Sequence, residues 1–416
     1  MKKLRFLLVA FLLVVGILCA ETHIPVGNIS GVLLASGSPY YVDGEVHIPT
    51  DSSLIIEPGC SLVFTGDYAF VVDSAALLRA VGTETDSIFF VPQDTTIGWE
   101  GIDLIKSAEN CAISYCRIEW SRSSGIHAEK AYNLMISKNT IIENTSSDVG
   151  GGIYCDGSNI TISDNIITLN KALHIFTEGS GIYCDGFRIM ISNNIIIENG
   201  EGGIVYCDGA HFTISNNIIS KNYSRGIFCH ASNTTITNNI ITRNNGFGID
   251  CFFADDITIS DNMISENRTA IRCYFGSYDI TISNNTIAEN HCIGIDCNAA
   301  NNITIWDNKI VRNFLSGVYC YNSNHITISN NTITRNRSCG IYDLGSNNCT
   351  ISHNAVSKNG GKGIYCYSAN NVTIFDNTIT ENDDNGIRCR YLDNIIISNN
   401  TITGNKADLG GGIAIY

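Results

Sequence analysis

Residues Gly317–Asn336 read Gly-Val-Tyr-Cys-Tyr-Asn-Ser-Asn-His-Ile-Thr-Ile-Ser-Asn-Asn-Thr-Ile-Thr-Arg-Asn, and this unit decides the fold. Aligned on the isoleucine of its Thr-Ile-Ser step, copies fall at Ile136, Ile162, Ile191, Ile214, Ile236, Ile259, Ile282, Ile305, Ile328, Ile351, Ile374 and Ile397. The last nine intervals are 23, 22 and then 23 seven times. A period held that tightly means one supersecondary unit stacked on itself.

Alternation within the unit locates the strands. In Ile182-Tyr183-Cys184-Asp185, Ile and Cys face inward while Tyr and Asp face out. In Ile303-Thr304-Ile305 the isoleucines face in, Asn308 turns inward at a corner, and Lys309-Ile310-Val311 leads to a second Asn, Asn313. Three short strands per unit make a triangular coil. The corner series Asn165, Asn194, Asn217, Asn239, Asn262, Asn285, Asn308, Asn331, Asn354, Asn377 and Asn400 is unbroken. Stacked amides of this kind bond the copies above and below, and Asn tolerates the left-handed backbone that such corners need.

Cysteine follows the same logic. Cys155, Cys184, Cys207, Cys229, Cys251, Cys273, Cys297, Cys320, Cys366 and Cys389 share one repeat position, and Asp343 breaks the series. Stacked copies lie about 4.8 Å apart, but side chains pointing the same way disfavour the disulfide dihedral. The series reads as buried thiols acting as small hydrophobes. No Cys-x-x-Cys or His-rich cluster accompanies it.

Residues 1–20 carry Lys2, Lys3 and Arg5, an apolar run from Phe6 to Leu18, then Cys19-Ala20 before Glu21. That pattern reads as a secretory signal, and the apolar run is short for a membrane span. The expectation is export to the periplasm, the cell surface or the medium. Without residues 1–20 the chain has 22 basic and 40 acidic residues, a net charge of −18. Nucleic acid and anionic membranes, which need clustered Lys and Arg, are poor partners for it.

Residues 21–110 are less regular, with short β-type runs such as Leu54-Ile55-Ile56, Leu62-Val63-Phe64 and Ile88-Phe89-Phe90-Val91 between turn signals. They read as irregular capping coils ahead of regular repeats over 111–416. Leu54–Gly59, Gly82-Thr83 followed by Asp86-Ser87-Ile88, and Trp99-Glu100-Gly101-Ile102 resemble the opening of bacterial and archaeal surface proteins of the right-handed β-helix type, while the repeat resembles the parallel β-helix repeats of pectin-active enzymes, of carbohydrate-binding and sugar-hydrolase domains, and of the NosD-like periplasmic family. The resemblance implies an all-β, right-handed parallel β-helix solenoid of about 15 coils. The segment Ile303-x-Ile305-x-x-Asn308-x-Ile310 also fits a leucine-rich repeat core, but Gly-Ile-x-Cys stands where that repeat has a helix.

The interior of such a coil is filled, so function falls on outward columns and on loops that break the period. The outward pairs around each Cys are Tyr154/Asp156, Tyr183/Asp185, Tyr206/Asp208, Phe228/His230, Asp250/Phe252, Arg272/Tyr274, Asp296/Asn298 and Tyr319/Tyr321, continuing to Arg388/Arg390. Tyrosines beside carboxylates suit an extended glycan, offering flat faces to sugar rings and acceptors to hydroxyls. Outward aromatic ladders also simply stabilise sheets. The expected binding residues are Tyr154, Asp156, Tyr183, Asp185, Tyr206, Arg272, Tyr274 and Tyr319.

Two coils are long, with intervals of 26 and 29, and their extra residues fall around Ser146–Val149 and Lys171–Ser180, the latter carrying His174 and Glu178. Both loops are expected beside Asp156, Asp185 and Asp208. For catalysis, Asp250 and Asp296 stand two coils apart, about 9.6 Å, near the upper end for inverting glycosidases. Arg272 between them binds a carboxylated sugar or neutralises both acids. In a lyase, Asp156, Asp185 and Asp208 would hold Ca²⁺ and His230 would serve as base. The paired-Asp signatures of polygalacturonases and the Tyr-Gly and Asp-Pro-His pattern of alginate epimerases are absent. Weaker alternatives are NosD-like metal delivery and ice binding by the Thr/Ser ranks. The chain ends in mid-coil at Gly411–Tyr416, leaving unpaired strand edges, which points to a truncated reading frame, a missing sorting segment or an end-to-end partner.

Overall fold

β-branched residues alternate with polar ones in most of the short runs, and the corners between runs hold residues in left-handed backbone, often Asn or Asp but also Lys, Arg, Glu and Phe. In the coil quoted above, the strands are Val318–Tyr321, Asn324–Ser329 and Thr332–Thr334, here termed the cysteine, isoleucine and third strands. Each pairs in parallel and in register with its counterpart in the next coil: Cys320 with Asp343, Ile328 with Ile351, Ile333 with Val356. The computed structural model describes residues 21–106, 110–173, 179–200, 205–407 and 410–416. The expected signal at 1–20, and His174 and Glu178, lie outside the described residues.

The result is an all-β parallel solenoid of about 16 turns. Cysteine and isoleucine strands join one 30-stranded sheet among the described residues, and third strands form a 17-stranded one. The triangular expectation holds with one softened corner. In Ile153–Ser163, Ile182–Ser192 and Ile227–Thr237 the strand runs unbroken through the bend between the first two faces. The early segment enters the same sheets directly, with Tyr40 paired to Leu62, Phe90 to Leu62 and Ile88 to Cys116. Its core is aromatic: Phe64 stacks on Trp99 at 4.2 Å, and the Trp99 indole N–H donates to the Glu119 carbonyl at 2.8 Å.

From there on the interior is isoleucine, cysteine and asparagine, essentially all buried. Each corner Asn bridges three coils. Asn308 Nδ2 donates to Asn331 Oδ1 in the next coil (3.0 Å) and to the Ile282 carbonyl in the previous one (2.8 Å). The Asn308 backbone N–H shares the same Oδ1 at 2.9 Å. A second ladder of the same form runs through Asn144, Asn170, Asn199, Asn222 and on to Asn405 at the end of the third strands. The ladder Asn is not the left-handed residue, as the sequence suggested. That conformation belongs to the residue before it, such as Asp307, Asn330 or His353 (φ 54°, 57° and 57°). The outward residue takes the turn, leaving the inward amide in ordinary geometry to reach its neighbours.

The cysteines face inward as expected and are free thiols, with Cys155 and Cys184 sulfurs 2.8 Å apart. Asp343 fills the gap in their ladder and is fully buried. Burial without a full set of donors pushes its carboxyl up to about 6.

Two stability predictions follow from this interior. Asn308→Ala strands buried donors and an acceptor in three coils and should cost about 2–4 kcal/mol in denaturant titration, whereas outward Thr327→Ala should stay within about 0.5 kcal/mol. Asp343 binds its proton more tightly folded than unfolded. Its contribution is therefore fullest below about pH 4 and is lost as pH rises towards about 6. Asp343→Cys should abolish that slope and raise the urea midpoint at pH 7.5.

Candidate functional site

The cysteine strands set their outward residues in two columns. Register pairing places His127, Tyr154, Tyr183, Tyr206, Phe228, Asp250, Arg272, Asp296, Tyr319, Tyr342, Tyr365 and Arg388 in the first. Asp156, Asp185, Asp208 and His230 form the start of the second, which goes on through Phe252, Tyr274, Asn298 and Tyr321. All the expected site residues thus share one face, spread over eight coils.

Their environments differ. Tyr154, Tyr183 and Tyr206 stack in parallel, with centroids 5.3 and 4.6 Å apart and interplanar angles of 6° and 5°, and Tyr206 continues onto Phe228 at 5.1 Å. Each ring therefore covers its neighbour's face and turns an edge to solvent. Tyr206 is 6% and Phe228 5% exposed. The flat sugar platform expected at these three tyrosines is consumed by their own stacking. Beside them, burial raises the Asp185 carboxyl, and repulsion from Asp208 and Asp156 adds to it. Asp208 accepts its neighbour Gly209 N–H at 2.9 Å and lies 3.4 Å from His230 Nδ1. Among the described residues no three His, Cys, Asp or Glu side chains converge as a metal cage. The carboxylates of Asp156, Asp185 and Asp208 are strung along the axis, one per coil.

Asp250 and Asp296 entered the sequence reading as equals, and the geometry separates them. Asp250 is fully buried and gripped from both sides: Arg272 makes a two-pronged pair at 2.7 and 2.7 Å, and Arg225 reaches Oδ2 at 2.8 Å. The Arg272 guanidinium lies 3.7 Å from the Phe247 ring centre and 4.0 Å from that of Tyr274, and Arg225 lies 4.6 Å from Phe228. An acid so neutralised and enclosed serves as a structural lock, so the catalytic role expected of Asp250 is withdrawn. Arg272 is committed to it, and Asp296 makes no ion pair among the described residues. Asp296 Oδ1 is buried without a hydrogen-bond partner. Burial pushes the carboxyl up to about 7, helped by Cys297 and Asp250 and opposed by Arg272. Tyr319 beside it is pushed up to about 12 by burial, and by Tyr342 and Asp296.

Next to the Asp208–His230 pair, and beside this ionic group in the same coils, lies an aromatic cluster of which the sequence singled out only Tyr274 as a binding residue. Phe252 packs edge-on against Phe253 (4.5 Å, 67°) and tilted against Tyr274 (4.9 Å), and Tyr274 meets Phe275 edge-on (5.0 Å, 83°). Phe253 and Phe275 are 56% and 59% exposed, and His230 sits 5.8 Å from Phe252. Both phenylalanines hold left-handed backbone (φ 48° and 51°), rare for bulky residues. The doublets Phe252-Phe253 and Tyr274-Phe275 were legible in the sequence. Arg225 and Phe247 were not, because they sit in corners that the repeat leaves unspecified.

A family model described as a right handed beta helix region matches residues 93–183, 180–325 and 294–416. The chain belongs to the right-handed β-helix family. No curated protein matches it in sequence. Among solved structures, the A-module of an Azotobacter vinelandii mannuronan C-5 epimerase is 12% identical, with 92% of this chain and 91% of that one covered and a TM-score of 0.39. The Streptococcus pneumoniae surface adhesin PfbA is 13% identical over 82% and 83% of the two chains, with a TM-score of 0.47. The Dettilon tailspike protein is 16% identical over 72% and 61%, with a TM-score of 0.40. No functional inference passes from these likenesses to this β-helix.

The two acids should respond oppositely to neutralisation. Asp250→Ala leaves the partly buried Arg225 and Arg272 unpaired and should destabilise by about 2–3 kcal/mol in urea. Asp296→Asn should raise the urea midpoint at pH 8 and leave it unchanged at pH 4, because the wild-type carboxyl is protonated at the lower pH.

Proposed function

We propose that this β-helix is an exported, cell-surface or secreted protein that binds polysaccharide along the outward face of its cysteine strands. The observation that carries the reading is the aromatic cluster of Phe252, Phe253, Tyr274 and Phe275, set next to the Asp208–His230 pair and beside the Arg272–Asp250 ion pair. Unlike the tyrosine stack, Phe253 and Phe275 turn more than half of their surface to solvent. Exposed rings flanked by carboxylates and an imidazole combine apolar faces for sugar rings with acceptors for their hydroxyls.

The polymer class follows from charge. The second column opens with three stacked carboxylates and the chain is strongly acidic. A neutral or amino-sugar polymer is therefore favoured over an acidic one. A second reading, cleavage of the bound chain, has one observation in its favour. Asp296, on this same face, keeps a buried Oδ1 without a hydrogen-bond partner, and burial pushes its carboxyl up to about 7, in the range a general acid or base uses.

Retention of soluble xylan and chitosan in affinity electrophoresis tests both readings. The double change Phe253→Ala/Phe275→Ala should weaken retention at least tenfold. Asp296→Asn should preserve retention and, if the chain is cut, abolish the release of reducing ends. Unchanged retention in the double variant removes the platform reading.

A further inference from the structure

The first period-breaking loop marks a site at the head of the column, where His127 stands five coils before Phe252 of the aromatic cluster. Thr145–Ser146 pairs in parallel with Lys171–Ala172, so the bases of the two long loops form a separate small sheet. The first loop then runs back over the first column. Gly150, with φ 65°, lets the chain turn tightly against Tyr154, where an added Cβ would lie 2.7 Å from the Tyr154 Cβ. Beneath the loop is a cleft of about 510 Å³, lined by Ser123, Ser124, His127, Ser146, Tyr154 and Tyr183 among others. That volume is within the range of small-molecule sites.

The chemistry of the lining is consistent. Asp103, one coil back, approaches His127 Nδ1 at 2.8 Å. An ionised carboxylate only accepts, so Nδ1 carries the proton, and in the neutral ring Nε2 keeps its lone pair. The imidazole stacks on Tyr154 at 4.6 Å and 22°, which holds its plane. The serine hydroxyls each donate and accept, and Ser124 Oγ spans to the loop at the Val149 carbonyl, 3.4 Å away. Upstream, the column passes from Asp103 to Val71 and loses its aromatic stack. The cleft therefore stands where the aromatic face begins.

We infer that this cleft is a subsite for the terminal residue of a glycan chain, with His127 Nε2 accepting a sugar hydroxyl and the serines satisfying its neighbours. The inference takes its ligand class from the proposed function, but its geometry stands apart from the Phe253/Phe275 platform. A neutral, hydroxyl-rich ligand is favoured, because the fixed acceptor on His127 and the Asp148 carboxylate in the lining disfavour an anion, while the serine hydroxyls can donate to or accept from a sugar.

Saturation-transfer NMR with cellobiose and N,N′-diacetylchitobiose tests it on the whole protein. Wild type should bind at least one disaccharide. His127→Phe, which keeps the stack and removes the acceptor, should weaken binding about tenfold, the value of one well-made hydrogen bond. Ser147→Trp should block it by filling the cleft, with circular dichroism confirming the fold. Phe253→Ala/Phe275→Ala should leave disaccharide binding intact. Polymer retention without disaccharide binding, or disaccharide binding indifferent to both cleft variants, overturns the subsite and spares the platform. Disaccharide binding without polymer retention does the reverse, and absence of both removes the two together.

Discussion

The inward asparagine amide is the constraint on which everything else rests. Each one uses its two donors and its oxygen across three successive coils, so no coil can slip without breaking bonds in its neighbours. A buried amide with unmet donors is costly, and two such ladders multiply that cost along the solenoid. The ladders fix a spacing that tolerates extra residues only in the corners. The coils at Asn139–Asn165 and Asn165–Asn194 are 26 and 29 residues long, yet the amide bonds across them stay at 3.0 Å. They also sustain a left-handed residue before each ladder position, including charged ones such as Glu143, Arg243 and Arg312. A conformation that is uphill by about 1–2 kcal/mol per residue persists only inside a frame that leaves it no alternative.

A frame so regular places like above like on its outer faces, with two consequences. Where the stacked residues are tyrosines, they satisfy one another face to face, and their binding potential is spent internally. Where they are charged, like positions diverge. Asp250 is closed between Arg225 and Arg272, while Asp296, one coil beyond Arg272, is left with a proton near neutrality. The proposed sites lie where a column changes composition: at the aromatic doublets after Cys251 and Cys273, at Asp296, and at the His127 end under the first long loop.

Legibility followed the same division. The strand order, inward Ile and Cys, the first Asn ladder, the buried state of the thiols and the anomaly at Asp343 could all be read from periodicity, because in a stacked unit one residue's direction fixes that of every copy. The second Asn ladder was visible as letters but not as a bonded series. The identity of the left-handed corner residue was misassigned by one position, since sequence shows which residues tolerate such a turn and not which of two adjacent candidates makes it.

The sequence by itself determined that a solenoid forms, which residues fill it and which columns face outward, because a fixed repeat and a two-residue alternation leave the backbone no other arrangement. Only the tertiary structure decided what those columns can do. Ring orientation, the convergence of Arg225 and Arg272 on Asp250, and the return of the Ser146–Val149 loop over His127 depend on corners of irregular length and on side-chain directions between coils. These are contacts between residues about 22–29 positions apart, and no local pattern encodes them.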